Sequence, residues 1–112
     1  MPHLIVEITP NLKESVDALG DAMQQALIAS ELFSENDIKI RVHVLHQLVK
    51  DQVPDCIHCQ LHVMPGRSVE TRYKLAESVR ASLEAIKLGR PVSFSIQIIE
   101  INKDTYIKSI LD

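Results

Sequence analysis

The spacing of apolar side chains changes twice in the first third of the chain. Residues 4–8 are apolar or compatible with a strand, with Glu7 as the one charge, which predicts a strand close to the N-terminus. Beyond Pro10 the apolar side chains recur every three or four residues, which predicts a helix that Gly20 weakens without ending it. The apolar positions of this helix are Leu12, Val16, Leu19, Met23, Ala26, Leu27 and Leu32.

Residues 38–45 and 56–64 are predicted to be the next two strands, because apolar and polar side chains alternate in both. The second of these strands has two faces, with Cys56, His58, Gln60 and His62 on one and Ile57, Cys59, Leu61 and Val63 on the other. Residues 50–55, which contain Pro54, are expected to form a turn. Since this connection is short, we predict that the two strands pair antiparallel as a hairpin.

The second half of the chain repeats the same order of elements. Ser68 is predicted to cap a second helix, and Gly89 to stop it. The apolar positions of this helix are Val69, Leu75, Ala76, Val79, Leu83 and Ile86. Residues 92–101 alternate again as a last strand, and the tail at 102–112 is apolar enough that we expect it to pack on a neighbouring chain.

The predicted order is β-α-β-β-α-β, which is an α+β fold of two β-α-β units in a single domain over residues 1–112. Two helices can cover only one face of a four-stranded sheet. The other face carries polar groups on every strand, so we expect it to be either wet or shared between subunits. The apolar tail favours an oligomer.

Composition narrows the classes of partner. Hydrophobic residues make up 46% and charged residues 24% of the 112, as in ordinary globular proteins, and the net charge of −3 offers no basic field for nucleic acid or for an anionic membrane. The apolar runs are far shorter than a membrane helix requires. We therefore expect a cytoplasmic protein whose two cysteines are reduced.

The segment around the two cysteines has a spacing that zinc sites also use. Cys56 and Cys59 are three residues apart, with His58 and His62 close by. In a strand, however, residues three apart point to opposite faces. We therefore predict no metal site, and we interpret the two histidines as polar groups of the sheet face.

Pro2 is the candidate for chemistry. Removal of Met1 would make it a secondary amine, and such an amine is a base near neutral pH when burial and neighbouring cations favour its neutral form. Arg67 precedes the capped start of the second helix, where its guanidinium and the N–H groups of the first turn can engage a carboxylate. The sequence therefore suggests a proton-transfer site for an anionic substrate.

Two other hypotheses remain open on the residues alone. If Met1 stays attached, Pro2 is an amide without a basic nitrogen, and the chain would be a non-catalytic small-molecule-binding or scaffold domain of the same fold. A ferredoxin-like regulatory module also fits the order of elements, but it leaves the N-terminal proline unexplained.

Four segments at matching spacing resemble the 5-carboxymethyl-2-hydroxymuconate isomerase family of the tautomerase superfamily. They are residues 2–7, 41–43, 66–72 and 92–96, and the resemblance spans nearly the whole chain. It implies a homotrimer in which the sheets line a central barrel with the helices outside. It also implies that an N-terminal proline is the general base, which is the role suggested above for Pro2.

The resemblance carries over to individual positions. Pro2 matches the catalytic proline, and Arg67 matches an arginine that binds a substrate carboxylate. Lys39 stands where the family has an arginine, and lysine keeps the charge but lacks the planar fork. The remaining matched positions are Arg41, His43 and, as an aromatic residue of the tail, Tyr106.

The implied reaction is a proton shift in an unsaturated 2-hydroxy dicarboxylate such as 5-carboxymethyl-2-hydroxymuconate. Neutral Pro2 would take the proton, while Arg67, Lys39 and Arg41 would hold carboxylates and stabilise the dienolate. The resemblance implies no cofactor or metal. It places the reaction in aromatic compound catabolism, in the degradation of homoprotocatechuate.

Overall fold

A computed structural model of the chain describes residues 1–46 and 55–112. The strands are β1 (His3–Ile8), β2 (Lys39–Val44), β3 (Cys56–Val63) and β4 (Ser93–Glu100), and the helices are α1 (Val16–Ala29) and α2 (Val69–Ser82). Short 3-10 turns at Pro10–Ser15 and Glu35–Asp37 precede α1 and β2. The predicted α+β order of β-α-β-β-α-β is confirmed.

The four strands form one mixed sheet in the order β2-β1-β3-β4. β1 runs parallel to β2 and antiparallel to β3, and β3 runs parallel to β4. The predicted hairpin between the second and third strands is therefore wrong, because β1 lies between them. The expected turn at 50–55 falls outside the described residues except for Asp55.

Burial explains which strands occupy the centre. The side chains that β1 and β3 direct towards the helices are fully buried. On β2 the corresponding side chains Ile40 and Val42 are half-buried, and Val44 is exposed. An edge strand tolerates such exposure and the charges of Lys39 and Arg41, whereas a central strand does not.

The hydrophobic core fills the space between the sheet and the two helices. It is built from β1, β3, the inner faces of α1 and α2, and a few flanking side chains: Leu4, Val6, Ile8, Leu12, Leu19, Met23, Leu27, Ile38, Ile57, Cys59, Leu61, Val63, Leu75, Val79 and Leu83. Burial in this core raises the pKa of the Cys59 thiol to about 12. Cys56 lies on the opposite, polar face, so the predicted separation of the two cysteines is confirmed.

The second helix begins as predicted but ends earlier. Ser68 accepts a hydrogen bond from the backbone nitrogen of Thr71 at 3.1 Å, which confirms it as the cap. Val69 is 72% exposed, so its assignment to the apolar face is wrong: at the first helical position it points away from the core. The helix ends at Ser82 instead of continuing to Gly89, which has a φ of +76° in the later turn.

One end of the sheet, where β1 ends and β3 begins, contains a buried polar cluster. The hydroxyl of Thr9 donates to Oδ1 of Asp55 at 2.9 Å, and Nη1 of Arg90 donates to Oδ2 of the same carboxylate at 3.3 Å. The backbone nitrogen of Ser93 donates to the carbonyl of Asp55 at 3.0 Å. This cluster ties the entry of β3 to the entry of β4.

The tail after β4 has no regular structure and stays largely outside the core. Ile107, Ile110 and Leu111 are 87%, 93% and 89% exposed. Within the described residues no helix is long and apolar enough to cross a membrane.

Candidate active site at the start of the first strand

Several candidate residues meet at the opposite end of the sheet. β1 and β2 begin there, while β3 and β4 end there, as their pairing directions require. Pro2 is buried at this end, and its carbonyl accepts a hydrogen bond from the backbone nitrogen of Lys39 at 3.0 Å. The start of β1 is therefore held in place by β2.

Met1 occupies the space beside Pro2. Its amino group donates to the carbonyl of Asp37 at 3.2 Å, and its sulfur accepts from the hydroxyl of Tyr106 at 3.1 Å. With Met1 attached, the nitrogen of Pro2 is an amide and carries no basic lone pair. The methionine side chain therefore lies between the proline nitrogen and the tail.

A cavity of about 370 Å³ opens on the polar face of the sheet at this end. It is lined by His3, Ile5, Arg41, His62, Ile101 and Tyr106. The strand register explains this set, because His3 lies opposite His62 and Ile5 opposite Arg41, all with side chains on one face. Tyr106 reaches the cavity from the tail, where its hydroxyl lies 3.2 Å from Nε2 of His3.

The cavity is electropositive. Burial lowers the pKa of His3 from its ordinary value, and the charges of Arg41, the N-terminus, His62 and Lys108 lower it further. Each of these charged neighbours repels a second positive charge. The imidazole of His3 is therefore held towards its neutral form in the absence of an anion.

Arg67 lies at the same end of the sheet but on the side of the helices. Its Nη1 donates to the carbonyl of Met64 at 3.4 Å, and its Nη2 donates to the carbonyl of Leu32 at 3.3 Å. The guanidinium carbon lies 4.9 Å from the centre of the Phe33 ring, within the range of a cation–π contact. These contacts orient the guanidinium, and within the described residues no carboxylate pairs with it.

The structure brings together most, but not all, of the predicted site residues. Lys39 is exposed beside Pro2, and its Nζ donates a hydrogen bond to the carbonyl of Asn36 at 2.9 Å. His43 pairs with Glu7 near the far end of β2, so within one chain it lies away from Pro2. His3 and His62 line the cavity although the sequence marked neither as a site residue, because their meeting depends on a strand register that alternation alone does not give.

The sequence model of the 5-carboxymethyl-2-hydroxymuconate isomerase family matches residues 2–110. The chain belongs to this family. A member from Escherichia coli, 5-carboxymethyl-2-hydroxymuconate Delta-isomerase, is 30% identical over an alignment of 111 positions that covers 91% of this chain and 88% of that protein. The resemblance inferred from the four sequence segments is therefore confirmed.

Solved structures agree with the family assignment at the level of the fold. A 5-carboxymethyl-2-hydroxymuconate isomerase from Deinococcus radiodurans R1 superposes with a TM-score of 0.80 at 24% identity, covering 96% of this chain and 88% of that one. A fused 4-OT symmetric trimer superposes with a TM-score of 0.73 at 12% identity, covering 93% and 91%. The family member described here therefore has the tautomerase fold, and it is an isomerase of the tautomerase type.

Proposed function

We propose that this isomerase, once Met1 is removed, uses the secondary amine of Pro2 as the general base in a proton shift within an unsaturated 2-hydroxy dicarboxylate that resembles 5-carboxymethyl-2-hydroxymuconate. The observation that carries the proposal is the position of Pro2. It is buried, fixed by the hydrogen bond from Lys39, and adjacent to a cavity that contains Arg41. The E. coli relative is named for the same class of reaction.

The amine suits this role on chemical grounds. A free α-amino group titrates at about 8, and burial beside cations such as Arg41 and Lys39 favours its neutral, basic form. Neutral Pro2 takes the proton of the enol hydroxyl, which leaves a dienolate. The resulting ammonium then returns one proton to a conjugated carbon, so the base is regenerated and no cofactor or metal takes part.

The proposal assigns three cations to the substrate. Arg67 is oriented on the helix side, Arg41 lies on the polar face, and Lys39 stands at the start of β2. Together they bind carboxylates and stabilise the negative charge that develops as the proton leaves. Tyr106 closes the cavity from the tail, whereas His43 is left out of the site that one chain forms.

The proposal includes a homotrimer acting in the cytoplasm on a small-molecule dicarboxylate of homoprotocatechuate degradation. The polar face of the sheet and the exposed apolar tail both support self-association. A fused 4-OT with the same fold is a symmetric trimer. The trimer would cover the polar face as the lining of a central barrel.

The test compares proteins that differ only at the N-terminus. Tag-free protein whose intact mass lacks one methionine should ketonise phenylenolpyruvate, and Pro2→Ala should lower kcat by about 100-fold, since a positioned base contributes at least that factor. The same chain with Met1 retained should be inactive because its proline nitrogen is an amide.

The matched control is Pro10→Ala. Pro10 begins the 3-10 turn at the far end of the sheet, so this change should leave kcat within about twofold of the unsubstituted protein. Full turnover by the form that retains Met1, or by Pro2→Ala, would show that another group is the base.

A further inference from the structure

Two histidines that line the cavity beside Pro2 each have one ring nitrogen that lacks a partner. His3 and His62 face each other across β1 and β3, and both line the cavity. Within the described residues, Nδ1 of His3 and Nε2 of His62 have no hydrogen-bond partner although both atoms are shielded from solvent. Buried polar groups are normally satisfied, so two such atoms in one cavity indicate that a bound group completes them.

The charges around the cavity indicate the sign of that group. Arg41, Lys108 and His62 act on His3 as positive charges, and the amino group of Met1 adds to them while Met1 is attached. Glu7 is the acidic residue of β1, but it is four residues from His3, and in the strand register it lies opposite His43 and His58 instead of His62. The cavity therefore has a positive potential that its own walls leave uncompensated, which favours an anion.

The geometry also indicates which part of a substrate would reach it. His3 directly follows Pro2, so their Cα atoms are about 3.8 Å apart. Arg67 lies on the helix side of the sheet end, whereas Arg41 and the two histidines lie on the polar side. The cavity is thus next to Pro2 in the chain but on the side of the sheet away from Arg67, so it would take a different carboxylate from the one assigned to Arg67.

We propose that His3, His62 and Arg41 form a carboxylate subsite that binds the second carboxylate of the substrate and selects dicarboxylates over monocarboxylates. Each imidazole donates one ring N–H to a carboxylate oxygen, and the guanidinium supplies the full positive charge. The inference rests on the proposed function, which names a dicarboxylate and includes Arg41, but it adds His3 and His62, which the sequence resemblance did not assign. Removal of Met1 would vacate space next to this subsite, because the sulfur of Met1 contacts Tyr106 at the cavity wall.

Steady-state kinetics with two substrates test the subsite. His62→Gln in the Met1-free protein should raise KM for 2-hydroxymuconate, a dicarboxylate, by about tenfold, the loss expected for one charge-assisted hydrogen bond. KM for phenylenolpyruvate, a monocarboxylate, should stay within about twofold. Arg41→Gln changes an exposed side chain that folding does not require, and it should have the same selective effect.

The matched control is His58→Gln. His58 lies on the same face of β3, four residues from His62, but outside the cavity, with its Nδ1 on the hydroxyl of Ser95 at 2.6 Å. His58→Gln should leave both KM values unchanged. Equal effects of His62→Gln and His58→Gln, or equal losses on the two substrates, would overturn the subsite.

A binding experiment separates this inference from the proposed function. Glutarate should shift the ring 15N signals of His3 and His62 in the wild-type chain and bind about tenfold more weakly to His62→Gln, whereas butyrate should not discriminate between the two proteins. If Met1-free protein turns over neither substrate, the proposed function is wrong, and histidine-dependent glutarate binding still supports the subsite. If turnover is normal but glutarate leaves both histidine signals in place, the subsite alone is wrong.

Discussion

Asp55 is a buried carboxylate at the end of the sheet remote from Pro2. Burial by itself would raise its pKa, but hydrogen bonds from Thr9, Arg90 and Asn11 and the charge of Arg90 outweigh burial and lower the pKa below its ordinary value. A carboxyl whose pKa is lower in the folded than in the unfolded chain stabilises the fold above its unfolded pKa. That stabilisation disappears as the pH falls through the folded value.

We expect Asp55→Asn to lower the free energy of unfolding at pH 7 by about 2 kcal/mol, the value of hydrogen bonds to a charged group. The wild type should lose stability below about pH 4, where unfolded Asp takes up a proton, and the variant should lose less over the same interval. Urea unfolding at several pH values measures both effects. Asp21→Asn, on the exposed face of α1, is the control, and an identical pH profile for wild type and Asp55→Asn would contradict the prediction.

At the scale of elements, the start of α2 connects stability with the candidate site. The hydroxyl of Ser68 caps the helix, and Arg67 directly precedes it with its guanidinium on two backbone carbonyls. If the first turn frays, the backbone that carries Arg67 loses its support. The cap therefore contributes to the position of a cation that β1, α1, β2 and β3 separate from Pro2 in sequence.

Ser68→Ala should lower the free energy of unfolding by about 1 kcal/mol, because the backbone nitrogen of Thr71 loses its acceptor. Ser68→Asp should recover most of the lost stability. Urea unfolding measures the free energy of unfolding of each variant. Ser78→Ala is the control in the same helix, since the hydroxyl of Ser78 donates only to the carbonyl of Leu75. Equal losses at positions 68 and 78 would contradict a capping role.

The elements themselves were predictable from the sequence, because a period of two or of 3.6 is a local property that neighbouring residues determine. Strand pairing was not predictable, since it depends on which apolar faces compete for the centre of the sheet. The same distinction applies to the site residues. Pro2, Arg41 and Arg67 could be identified from local segments, whereas the contact of His3 with His62 follows from the β1–β3 register.

At the scale of the whole molecule, the apolar tail is the feature that one chain leaves uncovered. Ile107, Ile110 and Leu111 expose most of their surface, beyond the point where Tyr106 contacts the cavity. Clustered exposed apolar side chains mark interaction sites in soluble proteins. The same tail at 102–112 therefore supplies Tyr106 to the cavity and exposes apolar side chains that would be available for self-association.

Removal of residues 107–112 should shift the protein from the proposed trimer to smaller species in size-exclusion chromatography with light scattering, because the exposed apolar side chains of the tail are lost. Tyr106 remains in this variant. Lys103→Ser, in the exposed turn after β4, is the control and should leave the mass unchanged. A truncated protein that stays trimeric would show that the sheet face alone holds the subunits together.

The contact between Met1 and Tyr106 has a topological consequence. The sulfur of Met1 and the hydroxyl oxygen of Tyr106 are 3.1 Å apart, so the start of β1 and the tail after β4 are in contact. A circularly permuted chain, joined here and opened elsewhere, would keep both β-α-β units and every strand pairing. It would nevertheless turn the nitrogen of Pro2 into a permanent amide. If Pro2 is the base as proposed, the reactive group is the amine of the chain terminus. Joining the ends would remove this group without changing any side chain.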